Sequence, residues 1–328
     1  MRRALLLLAV ALSVRADTLV EKTTFRDAPA WRITDGITEA IIVPSYGGRL
    51  MRYGKIGGEN WLWNGQPDEL GEYMRWGGDK TYPGPHSMWR FTAKKSWPPP
   101  APDTTEHAVE KTATGIITTS PPWDDYGGAR VVREYAFENG DLVIHHRITR
   151  VADSAVPVAV WVITQCEPSI AYIPLPKKSP YKDNVFWFDW SKRSTGENLV
   201  SPTLLEIRPT VGEVFKLGAH PERPALAAVR NGMLFLQRAE VEITVKGEAA
   251  PRRAPRDPGA QYPEGADGAG LSVEFYHHNL PPPRHYIELE LLSPLRPARE
   301  GAALTTRWSL HDIGARPAAE AAAELLQK

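Results

Sequence analysis

Between Ala129 and Val151 the chain reads ARVVREYAFENGDLVIHHRITRV, two alternating runs around an Asn-Gly pair. Alternation at period two is what a half-buried strand requires, and Asn-Gly accepts the positive φ of a two-residue hairpin turn. The pattern recurs in EAIIVPSYGGRLMRYG from Glu39, VPVAVWVITQ from Val156, and ALAAVRNGMLFLQRAEVEITV from Ala225, where a second Asn-Gly turn lies at 231–232. It returns in LSVEFYHHN from Leu271 and HYIELELL from His285. Helical spacing is nearly absent before RPAAEAAAELLQK at 316–328, which predicts a short, loosely docked helix. A chain so patterned folds as an all-β protein, with residues 17–315 forming one large antiparallel sandwich domain and no linker or fixed-period repeat dividing it.

Lysine plus arginine equals aspartate plus glutamate at 39 each, so no overall field steers the chain toward nucleic acid or an anionic membrane. Residues 1–16, MRRALLLLAVALSVRA, place two arginines before an apolar run and small residues before Asp17, the pattern of a cleaved signal peptide. The run is too short to span a bilayer, so the expectation is an exported, periplasmic or extracellular protein with no stable membrane insertion after cleavage. Cys166 is the only cysteine and lies in an apolar run, which predicts a buried, inert thiol and no disulfide. Two Pro-rich insertions, 94–107 and 247–270, read as long loops, and the second is poor in apolar residues.

The segment RWGGDKTYPGPHSMW, Arg75 to Trp89, reads as a shaped loop. Gly77 and Gly78 allow close backbone approach, the prolines stiffen it, and Arg75, Asp79, Lys80 and His86 supply charge and hydrogen bonds. Four of the chain's 11 tryptophans, Trp61, Trp63, Trp76 and Trp89, cluster here. An indole face stacks on the C–H face of a sugar, so the expectation is one wall of a carbohydrate pocket with Trp76 or Trp89 under the ring. Core packing of the tryptophans, and a surface pairing of Asp79 with Lys80, are the alternatives.

Further along, alternation puts Leu271, Val273, Phe275 and His277 on one face and Glu274, Tyr276 and His278 on the other. In the following strand Ile287, Leu289 and Leu291 face the core, leaving Tyr286, Glu288 and Glu290 opposite. A hairpin through NLPPPRH that pairs His278 with Tyr286 sets Tyr276 across from Glu288 and Glu274 across from Glu290. Carboxylates, a phenol and an imidazole on one surface are the inventory of acid–base chemistry; a solvated outer face would use the same residues. The neighbouring pairs His145-His146 and His277-His278 point to opposite faces of their strands and cannot grip one metal. Zinc, calcium, phosphate-loop, dinucleotide and nucleophile-elbow motifs are absent from the sequence, which leaves cofactor-free chemistry or binding without chemistry.

RWGGDKTYPGP resembles the Arg-Gly-Gly…Pro loop of hexose-phosphate mutarotases, with Trp76 intervening before the glycines. VPSYGGRLMRYG is similar to the early strand of aldose 1-epimerases, and YIELELLSPLRPAREGAALTTRWSL to their closing strands, with Ala-Arg-Glu-Gly in the loop. In order along the chain these features resemble a secreted bacterial branch of the galactose-mutarotase-like superfamily. The resemblance implies a large antiparallel β supersandwich whose concave sheet carries a sugar site. It also implies a glutamate base that takes the proton of the anomeric hydroxyl and a histidine acid that protonates the ring oxygen. Carried over, the base is Glu290 first and Glu288 second, the acid is His86, His146 or His278 in that order, and Tyr276 lines the pocket. The expected partner is a mono- or oligosaccharide; a noncatalytic sugar-binding protein, or a glycan-cleaving domain, uses the same fold.

Overall fold

The computed structural model describes residues 18–65, 76–84, 101–124, 127–151, 153–154, 156–243, 252–254, 262, 270–280 and 285–328. The described residues form two antiparallel sheets of 11 strands each. The first runs Leu19–Phe25, Ala28–Thr34, Thr38–Val43, Arg49–Lys55, Asp79–Gly84, Pro157–Cys166, His285–Leu292, Val273–Asn279, Val214–Ala219 and Phe186–Trp187, with Arg296–Pro297 added beside Pro157–Cys166. The second runs Glu197–Ser201, Leu204–Ile207, Ile170–Pro174, Ala225–Arg230, Met233–Ile243, Ala302–Asp312, Asp141–Ile148, Val131–Glu138, Gly115–Thr119 and Ala108–Lys111, with Arg252–Ala254 beside Met233–Ile243.

Both Asn-Gly pairs make the hairpins their sequence demands. Asn139 and Gly140 take φ of 55° and 88°, and Asn231 and Gly232 take 51° and 71°. These values fit the turn in which both central residues are left-handed, and Glu138 pairs with Asp141 and Arg230 with Met233 across them.

Between the sheets lies the main core, where Tyr53 and Phe235 close around the edge of Trp308. It is not wholly apolar. Arg133 pairs with Asp79 across the sheets, Thr164 donates to Asp79 Oδ1 at 2.7 Å, and Gln237 donates to Thr164 Oγ1 at 2.8 Å. His146 is held between the hydroxyls of Thr81 (2.8 Å) and Thr306 (3.0 Å). Each polar side chain sits at a strand position whose parity faces inward, and each finds a partner there.

The helix Ala318–Gln327 packs Ala321, Ala322 and Leu326 onto Tyr172, Leu204, Leu234 and Leu236 of the second sheet. Arg238 donates to Leu325 O at 3.0 Å and Arg223 to Gln327 O at 2.6 Å, satisfying carbonyls at its C-terminal end. The expectation of loose docking is therefore replaced by a covered apolar face and a capped end. No helix among the described residues is long and apolar enough to cross a membrane. Residues 1–17, with the expected cleavage point before Asp17, and most of the 247–270 insertion lie outside the described residues.

Candidate functional site

The candidate site is the face of the first sheet turned away from the second. The hairpin register read from the sequence is the one found: His278 pairs with Tyr286, Tyr276 with Glu288, and Glu274 with Glu290. On one side Val214–Ala219 brings Lys216 opposite Tyr276. On the other side Pro157–Cys166 brings Ile163 opposite Glu290 and Gln165 opposite Glu288. Beyond it, Asp79–Gly84 sets Lys80 opposite Ile163 and Tyr82 opposite Trp161. Strand alternation keeps all these side chains on one surface.

Three carboxylates share that surface in two different states. Glu290 is 0% exposed and Glu274 1% exposed. Lys216 Nζ donates to Glu274 Oε2 at 2.6 Å and to Glu290 Oε2 at 2.9 Å, and Trp161 Nε1 donates to Glu290 Oε2 at 2.6 Å. The same ammonium lies 4.9 Å from the Trp161 ring centre and 5.3 Å from that of Phe188, a cation–π arrangement on both flanks. Burial pushes the Glu274 carboxyl up to about 7, Lys216 opposing and Glu290 adding to the rise. Lys216 is held charged, because its two carboxylate partners outweigh its own burial.

Glu288 differs. It is half-buried, and no ammonium is within bonding distance among the described residues; its Oε1 accepts from Gln165 Nε2 at 2.7 Å. Burial pushes its carboxyl up to about 7, with Lys80 pulling the other way and Glu290 adding to the rise. Lys80 is half-buried over the Tyr82 ring at 5.4 Å. Its own value is lowered by burial and then by Arg49, with Glu288 acting against both. Beside Glu288, His278 stacks on Tyr286 at 5.0 Å and 16°, with Tyr276 at 5.8 Å from His278 and Trp63 at 4.6 Å from Tyr286. A carboxyl poised near neutrality, flanked by an ammonium, a phenol and an imidazole over an aromatic floor, can exchange protons with a polyhydroxylated ligand.

No family model matches the chain, and no curated protein matches it. Solved structures do. A putative aldose 1-epimerase from Klebsiella pneumoniae superposes with a TM-score of 0.56 at 10% identity, over 94% of this chain and 86% of that one. A galactose mutarotase-like protein from Lactobacillus casei gives 0.54 at 11% identity, over 86% of this chain and 100% of that one. A TPR-domain containing protein from Parabacteroides distasonis gives 0.54 at 13% identity over 87% of this chain, which spans only 47% of that longer protein. The chain has a galactose-mutarotase-like fold.

Within this mutarotase-like sandwich, Lys80, Tyr276, His278, Glu288 and Glu290 come together on one face, and Trp76, Gly77, Gly78, Asp79 and His146 do not join them. The segment 75–89 is not a loop throughout, because Asp79–Gly84 is a strand paired along its whole length with Pro157–Cys166. Asp79 and Lys80 therefore point to opposite faces, and Asp79 is committed to Arg133 between the sheets rather than to Lys80 or a ligand hydroxyl. His146 is likewise enclosed between the sheets, and burial holds it well below its ordinary value, so it stays neutral. Trp76 stacks flat on Tyr46 at 4.8 Å and packs with Val43 and Met51. Arg75, His86 and Trp89 lie outside the described residues.

Gly77 and Gly78, at φ of 81° and 71°, do allow a close approach, but to the chain itself: a Cβ would meet Trp63 O at 2.1 Å and Leu50 O at 2.5 Å. Gly78 O then accepts from Gln165 N at 3.0 Å, so the glycines serve the site by holding the strand that carries Gln165. The sequence reading missed Lys216, Trp161 and Gln165. Their signals were present: Lys216 is a lone cation in the apolar run VFKLGA, and Trp161 and Gln165 share one face of their strand at a spacing of four.

Proposed function

We propose that this protein binds a sugar on the face around Glu288 and interconverts its anomers in the manner of an aldose 1-epimerase. The observation that carries the reading is Glu288 itself, a half-open carboxyl raised to about 7 at the centre of an aromatic, hydrogen-bonding surface on a mutarotase-like fold. Glu290, the first choice from the sequence, gives way to Glu288, because Glu290 is enclosed and tied to Lys216 and Trp161.

In this reading the Glu288 carboxylate takes the proton of the anomeric hydroxyl. The C1–O5 bond breaks as the C1 carbonyl forms, and O5 receives a proton from His278. After rotation about C1–C2 the same transfers run in reverse and close the ring on the other face. His278 supports the role by its position, since it is the diagonal neighbour of Glu288 across the strand pair, on the order of 7 Å away. Lys80 and Tyr276 are left to bind hydroxyls. Glycan cleavage is disfavoured, because Glu274 and Glu290 are both enclosed and tied to one ammonium, so that neither carboxylate is presented to a scissile bond.

The test is saturation-transfer NMR with a panel of reducing sugars. Transfer between α and β signals above the buffer rate is the expected result. Line broadening without transfer would make the protein a sugar binder only, and neither effect with any sugar would remove the reading. We also propose that residues 1–16 are an export leader, so the ligand is met outside the cytoplasm; N-terminal sequencing of the mature protein is expected to begin at Asp17, and an uncleaved terminus would count against it.

A further inference from the structure

An indole is left in solvent at the rim of this face. Trp190 is 56% exposed, the largest side chain among the exposed hydrophobic residues described. It is not on a loose excursion. Phe188 N donates to Lys216 O at 3.2 Å, Ser191 N donates to Phe188 O at 2.8 Å, and Ser191 Oγ lies 2.8 Å from Phe188 O and 3.1 Å from Lys216 O. The turn 188–191 is thus pinned to the strand at Lys216, the residue whose ammonium bridges Glu274 and Glu290. The inner ring of the turn, Phe188, stands over that ammonium at 5.3 Å, while the outer ring, Trp190, lies 6.2 Å from Tyr276, which is paired with Glu288.

The indole leans on Phe188 at 6.3 Å and on Tyr276 at 6.2 Å, both tilted, and leaves more than half of its surface to solvent. A rigid indole presented to solvent one ring further out than Tyr276 is suited to stack on the apolar face of a pyranose, with little ordering left to do on binding. We propose that Trp190 is the platform of a second sugar subsite, so that the ligand of the Glu288 face is an oligosaccharide of at least two units rather than a free monosaccharide. The proposal rests on the sugar reading of that face and adds the length and direction of its ligand: the unit acted on sits at Glu288, and the chain leaves past Tyr276 toward Trp190.

The experiment is calorimetric titration of the mature protein with glucose, galactose, mannose and xylose and with their di- and trisaccharides, repeated for Trp190→Ala and Trp190→Phe. In the wild type one disaccharide series is expected to bind about tenfold tighter than its monosaccharide, the scale of one good ring stack. Trp190→Ala is expected to bring that disaccharide to the monosaccharide's affinity and leave the monosaccharide unchanged, with Trp190→Phe in between. Equal losses for both lengths, or no loss for either, overturns the subsite while leaving the Glu288 reading intact. A change in oligomeric state of Trp190→Ala by light scattering, with sugar affinity unchanged, would assign the indole to a protein contact instead and overturn it. Absence of wild-type binding at every length overturns the subsite together with the reading beneath it.

Discussion

Glu288 and Glu290 are two residues apart on one strand, yet their surroundings give them different chemistry. Lys216 and Trp161 both donate to Glu290, while among the described residues Glu288 has one neutral donor, Gln165. Glu288→Gln is expected to lower the rate of anomer exchange by about 100-fold or more with the melting temperature retained, the scale of a lost general base. The rising limb of the wild-type rate against pH should have its midpoint at about 7, where Glu288 ionises, and the rate should fall again at higher pH, where the acid His278 no longer has a proton to give. Lys80 is the strongest influence holding that value down, so Lys80→Met should move the midpoint to higher pH; a shift to lower pH would contradict the arrangement. Glu274 gives a stability test. Its carboxyl is raised on folding, so the folded state holds a proton that the unfolded chain releases, and the resulting stability is lost as pH rises from the ordinary carboxylate value toward about 7. Glu274→Gln should flatten the fall of melting temperature between pH 5 and about pH 7.5, and an unchanged slope would show that Glu274 titrates normally.

At the scale of elements, the strand Asp79–Gly84 divides its labour by parity. Asp79 points inward to Arg133 and Lys80 outward over Tyr82. Asp79→Ala leaves the Arg133 charge unpaired between the sheets and should cost about 3–5 kcal/mol in chemical denaturation, whereas Lys80→Met should leave stability nearly unchanged. Parity was also what made the hairpin of Val273–Asn279 and His285–Leu292 readable, because an apolar alternate on both strands rules out a one-residue slip and so decides which side chains share a face. The Asp79 strand was not readable in the same way. Its glycines and Pro83 resemble a loop, and only the long pairing with Pro157–Cys166, distant in sequence, makes it a central strand. Lys216 escaped notice for a related reason: its carboxylate partners lie 58 and 74 residues away, and their meeting depends on strand order rather than on local pattern.

For the whole molecule, alternation and two Asn-Gly turns announced an all-β chain, and the two 11-stranded sheets bear this out. What the sequence could not convey was the order of strands, and hence which charged residues turn inward to bridge the sheets and which turn outward to meet a ligand. The terminal helix belongs to the fold rather than trailing from it. Leu326→Asp should destabilise the protein by about 2–5 kcal/mol, since it puts a charge against Leu234 and Leu236; denaturant unfolding unchanged from wild type would mean that the helix does not stay docked.

The most direct test of the account compares anomer exchange by saturation-transfer NMR in the wild type, Glu288→Gln and Glu290→Gln, with a sugar that the wild type binds. The account predicts exchange above the buffer rate in the wild type, its loss in Glu288→Gln with binding retained, and a smaller loss in Glu290→Gln. Full exchange in Glu288→Gln, or none in the wild type, would contradict it.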